Sequence, residues 1–497
     1  MEDVWLYILS ASSFLILLFL FKLQRSSKIN LPPAPPSLPI IGHLLLVKEP
    51  VQRTLQSLSF GSRSVVVVSS PSAAEECFTR NDVVLANRAR MLAGEIMLYS
   101  NTTISTAPYG PHWRNLRRLT ALEILAPHCL ASSLAIQQEE VRLLVRSLYE
   151  AASSARDSGC ARVEMRSRLQ ELSFSIIMRM ISGKRYFGAA ADAGDVKVAR
   201  QFREVINEIF ELSGTDPGDF LPVLRKVDLK GRKRRMVDVA KRSDVILQRM
   251  IDELRSRRKR SDGDREVESK TMIDYMLSEG YSDDIIKGHI LTILCAGTDT
   301  STVTIEWAMS LLLNHPNIMK KAQAELDNIV GRDRLADEAY IHKLPCLQNI
   351  INEALQLFPP APLLVPHESA EDCTIGGFDV PRGTMILVNV WAIQRDPKVW
   401  DDPTSFKPER YEGLKEDHAY RLLPFGMGRR SCPGVGLANK VVGLTLAALI
   451  QCFEWERVSE EPVDLSEGRG MTMPKREPLE AVCKARECMI ANVCAQL

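Results

Sequence analysis

The sequence lacks the patterns that organise smaller or more specialised proteins. Its 497 residues contain no Cys-x-x-Cys and no paired Cys/His spacing of a zinc site, which removes redox dithiols and zinc modules. The 11 cysteines are odd in number and scattered from Cys77 to Cys494. A disulfide scaffold is therefore excluded, and mostly free thiols in a reducing compartment are expected. Excess charge of one sign is also missing: 63 Lys and Arg face 62 Asp and Glu, and a formal charge of +1 gives no general pull toward nucleic acid. No repeat occurs at solenoid periods. With 45% hydrophobic and 25% charged residues the chain has the composition of a folded globular protein, and its length admits either two or three domains or one large one.

What is present is unevenly placed. Residues 4–21, VWLYILSASSFLILLFLF, carry no charge. As a helix they would be about 27 Å long, close to a hydrocarbon core of about 30 Å. Glu2 and Asp3 precede this run, and Lys22, Arg25 and Lys28 follow it. A cleaved signal peptide has the opposite charge order, so a retained single-pass anchor with the following chain in the cytosol is expected. Residues 22–47 continue as a basic stop-transfer stretch and a proline-rich hinge, LPPAPPSLPIIGHL, which is too rich in proline to be helical. Residues 48–497 would then form a single catalytic domain.

Apolar periodicity in that domain predicts helices over 113–125, 136–153, 169–181, 198–212, 232–258, 283–313, 318–329 and 344–358. Strand signals are few: 64–69, 373–375 and 385–388. The fold class is thus mainly α with a small β-sheet region. Residues 229–260 form a basic stretch with interleaved acids, which reads as a solvated helix and loop rather than a nucleic-acid surface.

The segment with chemical content is Phe425-Gly-Met-Gly-Arg-Arg-Ser-Cys-Pro-Gly434. Its glycines permit a tight turn, Arg430 supplies a fixed cation, and Cys432 stands at the entrance of the apolar helical run 435–449. A thiolate at a helix N-terminus is stabilised by oriented N–H groups and is a soft ligand for iron. A second segment, Ala296-Gly-Thr-Asp-Thr-Ser301, puts glycine, hydroxyls and a carboxyl in the middle of the long apolar helix 283–313. Hydroxyls there can bond back to the helix and open a local distortion.

The spacing F-x-x-G-x-R-x-C-x-G resembles the haem-binding loop of the cytochrome P-450 haem-thiolate monooxygenases, and the resemblance extends over essentially the whole chain. Segments such as APYGPHWRNLRR, LLVPHES and GLTLAALIQCFEWE are most similar to the plant microsomal subgroup of isoflavone hydroxylases and lignan-modifying relatives. The resemblance implies the cytochrome P-450 fold, with haem as cofactor and Cys432 as its axial ligand. It implies catalytic roles in proton delivery for Thr300 and Asp299. Trp113, Arg117, Arg430 and His367 would hold the haem propionates, with Phe425 beside the haem. Ala296, Leu363 and Leu364 would line the substrate pocket, with further contacts from 92–107, 210–221 and the surroundings of Met471. It also implies an apolar small-molecule substrate, O2, electrons from an NADPH-dependent cytochrome reductase, and an endoplasmic reticulum membrane location. Arg114 and Arg118, on another face of their helix, would point toward solvent or an acidic reductase.

Two departures from the family pattern stand out. Glu353-Ala-Leu-Gln356 occupies the E-x-x-R position without its arginine, leaving Glu353 dependent on Arg410. Before Phe60 the turn and first strand of the family pattern are missing, which would leave the strand at 65–68 with an open edge. Together they raise an alternative expectation, a catalytically impaired haem protein or apoprotein.

Overall fold

The computed structural model describes residues 13, 30–34, 58–60, 63–154, 159–186, 193–214, 216–226, 228, 231–261, 271–413 and 421–486. The expected anchor at 4–21, apart from Ser13, lies outside the described residues, as does the hinge apart from 30–34. Those five hinge residues begin with Asn30, which is bonded to a distant hairpin. Its backbone N–H donates to Asp379 Oδ2 (2.9 Å), its side chain to Gly377 O (2.9 Å), and its carbonyl accepts from the Asp379 N–H (2.7 Å).

The principal helices are α1 (Pro111–Leu119), α2 (Leu134–Ser154), α3 (Met165–Ser182), α4 (Ala193–Leu212), α5 (Arg232–Ser261), α6 (Asp283–Asn314), α7 (Pro316–Ile329), α8 (Pro345–Leu357) and α9 (Val435–Cys452). Prolines at the first helical position start α1, α7 and α8, where a missing N–H costs nothing. Helices α6 and α9 are buried almost all round and form the centre of the core. Among the described residues α9 is the one helix long and apolar enough to cross a membrane, and its burial inside the domain identifies it as a core helix.

The strands are β1 (Leu58–Phe60), β2 (Arg63–Val68), β3 (Asn87–Arg88), β4 (Cys160–Glu164), β5 (His367–Glu368), β6 (Cys373–Ile375), β7 (Phe378–Val380), β8 (Met385–Val388), β9 (Phe453–Arg457) and β10 (Glu480–Ala485). They form a five-stranded sheet of order β1-β2-β8-β5-β3, a three-stranded sheet β4-β10-β9, and the hairpin β6-β7. In the first sheet β2 and β8 run parallel, with Val65 opposite Met385. This corrects the expected open edge at 65–68: β1 pairs antiparallel with β2, Leu58 opposite Val65 and Phe60 opposite Arg63, so β2 lies inside the sheet.

Two close approaches fix α6 over the site. Trp307 on α6 stacks on Phe358, just beyond α8, with ring centroids 3.7 Å apart and 4° between planes. Gly297 lets α3 approach: a Cβ there would stand 2.8 Å from Ile177 Cδ1. The hydroxyls of α6 do bond back, Thr300 to Ala296 O (2.6 Å) and Thr304 to Thr300 O (2.8 Å). The helix nevertheless runs unbroken from Asp283 to Asn314, so the expected local distortion is absent.

Candidate active site

Helices α1, α3, α6 and α9, the 425–434 loop and the segment after α8 enclose a cavity of about 300 Å³. The loop turns through Gly426 (φ +63°) and Gly428 (φ +69°), conformations that side chains disfavour. At Gly428 a Cβ would also stand 2.3 Å from Asp82 Oδ1, the atom that accepts the Arg429 N–H at 2.9 Å. Thus the second glycine is needed twice, for its dihedral and for the docking of Asp82. The turn brings the Cys432 N–H to Phe425 O (2.9 Å) and leaves the sulfur at the cavity wall, where it accepts the Gly434 N–H at 3.3 Å. Burial pushes the Cys432 thiol above its ordinary range, and the Gly434 N–H and the Arg117 guanidinium oppose that shift.

Three arginines meet on the same wall. Arg430 donates to the carbonyls of Ala86 (2.6 Å), Ile104 (3.3 Å) and Ala107 (2.6 Å), and its guanidinium lies 4.1 Å from the centre of the Trp113 ring. Arg117 donates to Ser431 O (2.6 Å), and Trp113 Nε1 to Ile104 O (3.1 Å). Arg88, from β3, donates to Val365 O (2.7 Å) and Pro366 O (3.1 Å). Burial pulls all three guanidinium pKa values down, Arg430 to about 9 and Arg88 well below its ordinary value. Among the described residues none of the three forms an ion pair with a carboxylate. Concentrating three desolvated cations around one cavity is costly unless the cavity receives negative charge.

Most of the residues expected at the site are brought together here. Trp113, Arg117, Ala296, Thr300, Leu364, His367, Phe425, Arg430 and Cys432 all line the cavity. His367 is held from the side of the sheet: its Nδ1 is 2.7 Å from Leu85 O, and burial, then Arg88, push its pKa down to about 3. Arg88, which the sequence reading passed over, stands as the third cation. Its two-residue strand left no periodicity to reveal it.

Asp299 and Leu363 are placed elsewhere. One residue along a helix is about 100° of rotation, so Asp299 faces away from the wall that Thr300 joins. It accepts a hydrogen bond from Thr472 Oγ1 at 2.5 Å, and burial raises its pKa against the opposing effects of Thr472 and Arg166. Leu363 packs with Val65, Phe220 and Met385 against the sheet, because Leu364 has φ +51° and adjacent side chains in that turn diverge. Of the further segments expected at the pocket, 92–107 contributes Ile104 and Ser105 to the wall, whereas none of the described residues of 210–221 lines it.

Glu353 is fully buried and ion-paired with Arg410, whose Nε is 2.9 Å from Oε2 and 3.1 Å from Oε1. The Lys407 N–H adds a third contact to Oε1 at 2.7 Å. Arg410 also donates to the carbonyls of Asp401, Asp402 and Ser405, which ties the 401–410 loop to α8. Gln356 gives its amide to Gln394 O and Pro403 O, while its own Oε1 is buried without a partner. The loop is therefore held, with one orphaned acceptor where the family pattern has a cation.

A thiol at a helix entrance, three arginines awaiting anionic groups, and apolar walls from α6 and α9 suit a flat, apolar, dianionic macrocycle with an iron that takes a sulfur ligand. That donor set fits haem and defines a haem-thiolate oxidoreductase. The cytochrome P450 sequence family matches residues 32–480, and the chain belongs to that family. It is accordingly a monooxygenase with haem as cofactor. Isoflavone 3'-hydroxylase of Medicago truncatula is 51% identical over 96% of this chain and 97% of its own. The (+)-piperitol/(+)-sesamin synthase CYP81Q2 of Sesamum radiatum is 50% identical over 94% and 93%. A zebrafish cytochrome P450 solved with progesterone superposes with a TM-score of 0.71 at 26% identity, covering 91% of this chain and all of that one.

Proposed function

We propose that the protein is a membrane-anchored monooxygenase that oxidises an apolar plant phenolic of the flavonoid or lignan type. The observation that carries this reading is the placement of Cys432 and Thr300 on the wall of one largely apolar cavity. The activities for which the relatives are named, isoflavone hydroxylation and sesamin formation, point to aromatic substrates of that size. Hydroxylation is the default outcome. Bridge formation and demethylation are variants of the same oxidative chemistry.

Cys432, Arg88, Arg117 and Arg430 would hold the haem, with Trp113 and Phe425 packed beside it. Haem bound there supplies the redox-active iron that activates O2. Thr300 places a hydroxyl at the cavity wall, where it can hold a proton donor toward the reacting oxygen. Ala296 and Leu364 exclude water and orient the apolar substrate. Asp299, tied to Thr472, would reach the proton path by releasing that bond. Electrons would come from an NADPH-dependent cytochrome reductase, and the anchor and its basic flank would place the domain on the cytosolic face of the endoplasmic reticulum. Full activity, rather than impairment, is supported by the Glu353–Arg410 pair and by β1. Turnover of isoflavones and lignans by the full chain with such a reductase in microsomes tests the reading. Hydroxylated or bridged product requiring both NADPH and O2 supports it, and no product from either class in a haem-loaded preparation refutes it.

A further inference from the structure

Glu306 is a fully buried carboxylate that lies off the cavity wall. It stands seven residues beyond Asp299 in α6, so the two acids share one helix face about two turns, or about 10 Å, apart. Its partner is Arg166 at the start of α3, whose Nε is 3.0 Å from Oε2 and 3.2 Å from Oε1. The Leu479 N–H donates to Oε1 at 2.9 Å, and Arg166 Nη2 donates to Lys475 O at 2.8 Å. Glu164 caps α3 and accepts the Arg166 N–H at 2.7 Å, which fixes the point from which that arginine reaches out.

These contacts grip one segment, residues 467–479. It doubles back through the Glu467–Lys475 bridge and the bond from the Gly468 N–H to Pro474 O (2.7 Å). Trp307, next to Glu306 on α6, donates from Nε1 to Met473 O at 2.8 Å, and the Met473 N–H donates to Pro360 O (3.0 Å) at the cavity wall. Lys475 is buried, donates to Asp464 O and lies 5.1 Å from the centre of the Trp307 ring. Thr472 comes just before Met473, and its hydroxyl reaches Asp299 Oδ2 at 2.5 Å. Met471 is 49% exposed, so the gripped part of the segment begins at Thr472.

A buried ion pair adds little net stability, because desolvating both charges offsets their attraction. We infer that Arg166 and Glu306 are positioning residues for Asp299: the pair clamps residues 472–479 to α6 and so keeps the Thr472 hydroxyl on the Asp299 carboxyl. The inference rests on the proton-delivery role proposed for Asp299. The charged and titratable groups around that acid belong to the same clamp. Burial raises the Asp299 pKa, and Thr472 from the segment, then Arg166 from α3, oppose the rise. On α6, burial and then Asp299 push the Cys295 thiol up to about 12, so it stays neutral. Burial raises the Glu306 pKa too, against Arg166, the Leu479 N–H and Lys475. Glu306 thus holds Arg166 in place and offsets its charge, and removing one or the other should move Asp299 in opposite directions.

Infrared titration of the full-length, haem-loaded protein reads the Asp299 carboxyl, its band identified as the one missing from Asp299→Asn. In Arg166→Met the cation and the grip on Lys475 O are both lost, and the midpoint should rise by about one pH unit. In Glu306→Gln the amide oxygen still accepts the Leu479 N–H while Arg166 loses its counter-charge, so the midpoint should fall by about as much. Arg166→Lys keeps the charge and should lie closer to wild type than Arg166→Met. Should Arg166→Met fail to fold with Glu306 unpaired, Arg166→Met/Glu306→Gln removes both charges, and its midpoint should lie above that of Glu306→Gln. The acid limb of the pH–turnover profile should follow the infrared midpoints. Shifts of the two charge variants in the same direction, or a band that neither moves, overturn the inference. The infrared titration needs neither substrate nor reductase. Failed shifts in protein that turns over therefore count against the clamp alone, and correct shifts without turnover count against the functional reading alone.

Discussion

Replacing Arg410 by methionine should destabilise the protein in a way that depends on pH. Arg410 is the only cation paired with Glu353 among the described residues, and Gln356 has committed its amide to Gln394 O and Pro403 O. Burial already raises the Glu353 carboxyl from 4.5 to about 7, with Lys407 N–H and Arg410 opposing the rise. Between those two values the folded protein holds the proton more tightly than the unfolded chain. The contribution of Glu353 to stability is therefore full below pH 4.5 and falls by about 3 kcal/mol as pH rises through 7. Without Arg410 the buried carboxylate lacks its counter-charge, a loss of about 3–5 kcal/mol where Glu353 is ionised. Its pKa should climb further, so the deficit of Arg410→Met should widen as pH rises past 7. Urea unfolding of the variant, repeated across the pH range with haem content measured in parallel, reads both effects. The double variant Glu353→Gln/Arg410→Met separates charge from packing, because it removes the buried anion but leaves the same loop carbonyls unpaired. It should recover most of the loss above pH 7. A double variant as unstable as Arg410→Met, or a deficit that does not change with pH, would refute the reasoning.

Three other substitutions probe neighbouring parts of the account. Gln356→Arg should supply donors to the same carbonyls, remove the orphaned Oε1 and favour the Glu353 anion, raising haem content and adding about 1–2 kcal/mol in urea unfolding. Thr472→Val removes the hydrogen bond that lowers the Asp299 pKa, so the acid limb of the pH–turnover profile should move upward, and Thr472→Ser should restore it. Gly428→Ala faces both φ +69° and the Asp82 carboxylate, and should cost about 1–3 kcal/mol and lower haem retention, measured as haem per polypeptide.

The helical frame was legible in the sequence because its signal is long. All eight predicted helices have counterparts, displaced by a few residues where Pro111, Pro316 or Pro345 sets the start. Of the sheets three strands were legible, with 64–69, 373–375 and 385–388 matching β2, β6 and β8, whereas the other strands described, of two to six residues, hold too little alternation to detect. β1 and β3 are the clearest losses, and with β3 went Arg88, an arginine whose neighbours in sequence say nothing about its burial. At the site, the cysteine loop was readable from a spacing that resembles the family's, and its glycines are dictated by local dihedrals and the close approach of Asp82. Which way Asp299 and Leu363 face was not readable: it depends on helix rotation and on one left-handed residue, Leu364. The loss of the arginine at Gln356 was visible, but its rescue by Arg410 and Lys407 could be seen only once the loop was folded back.

The central claim is that Cys432 is the iron ligand of a haem-thiolate enzyme. The reduced, carbon monoxide difference spectrum of the purified full-length protein tests it most directly. The account predicts the strongly red-shifted Soret band of thiolate ligation, absent from Cys432→Ser. A haem-loaded wild-type protein without that band, or a Cys432→Ser variant that keeps it, would contradict the account.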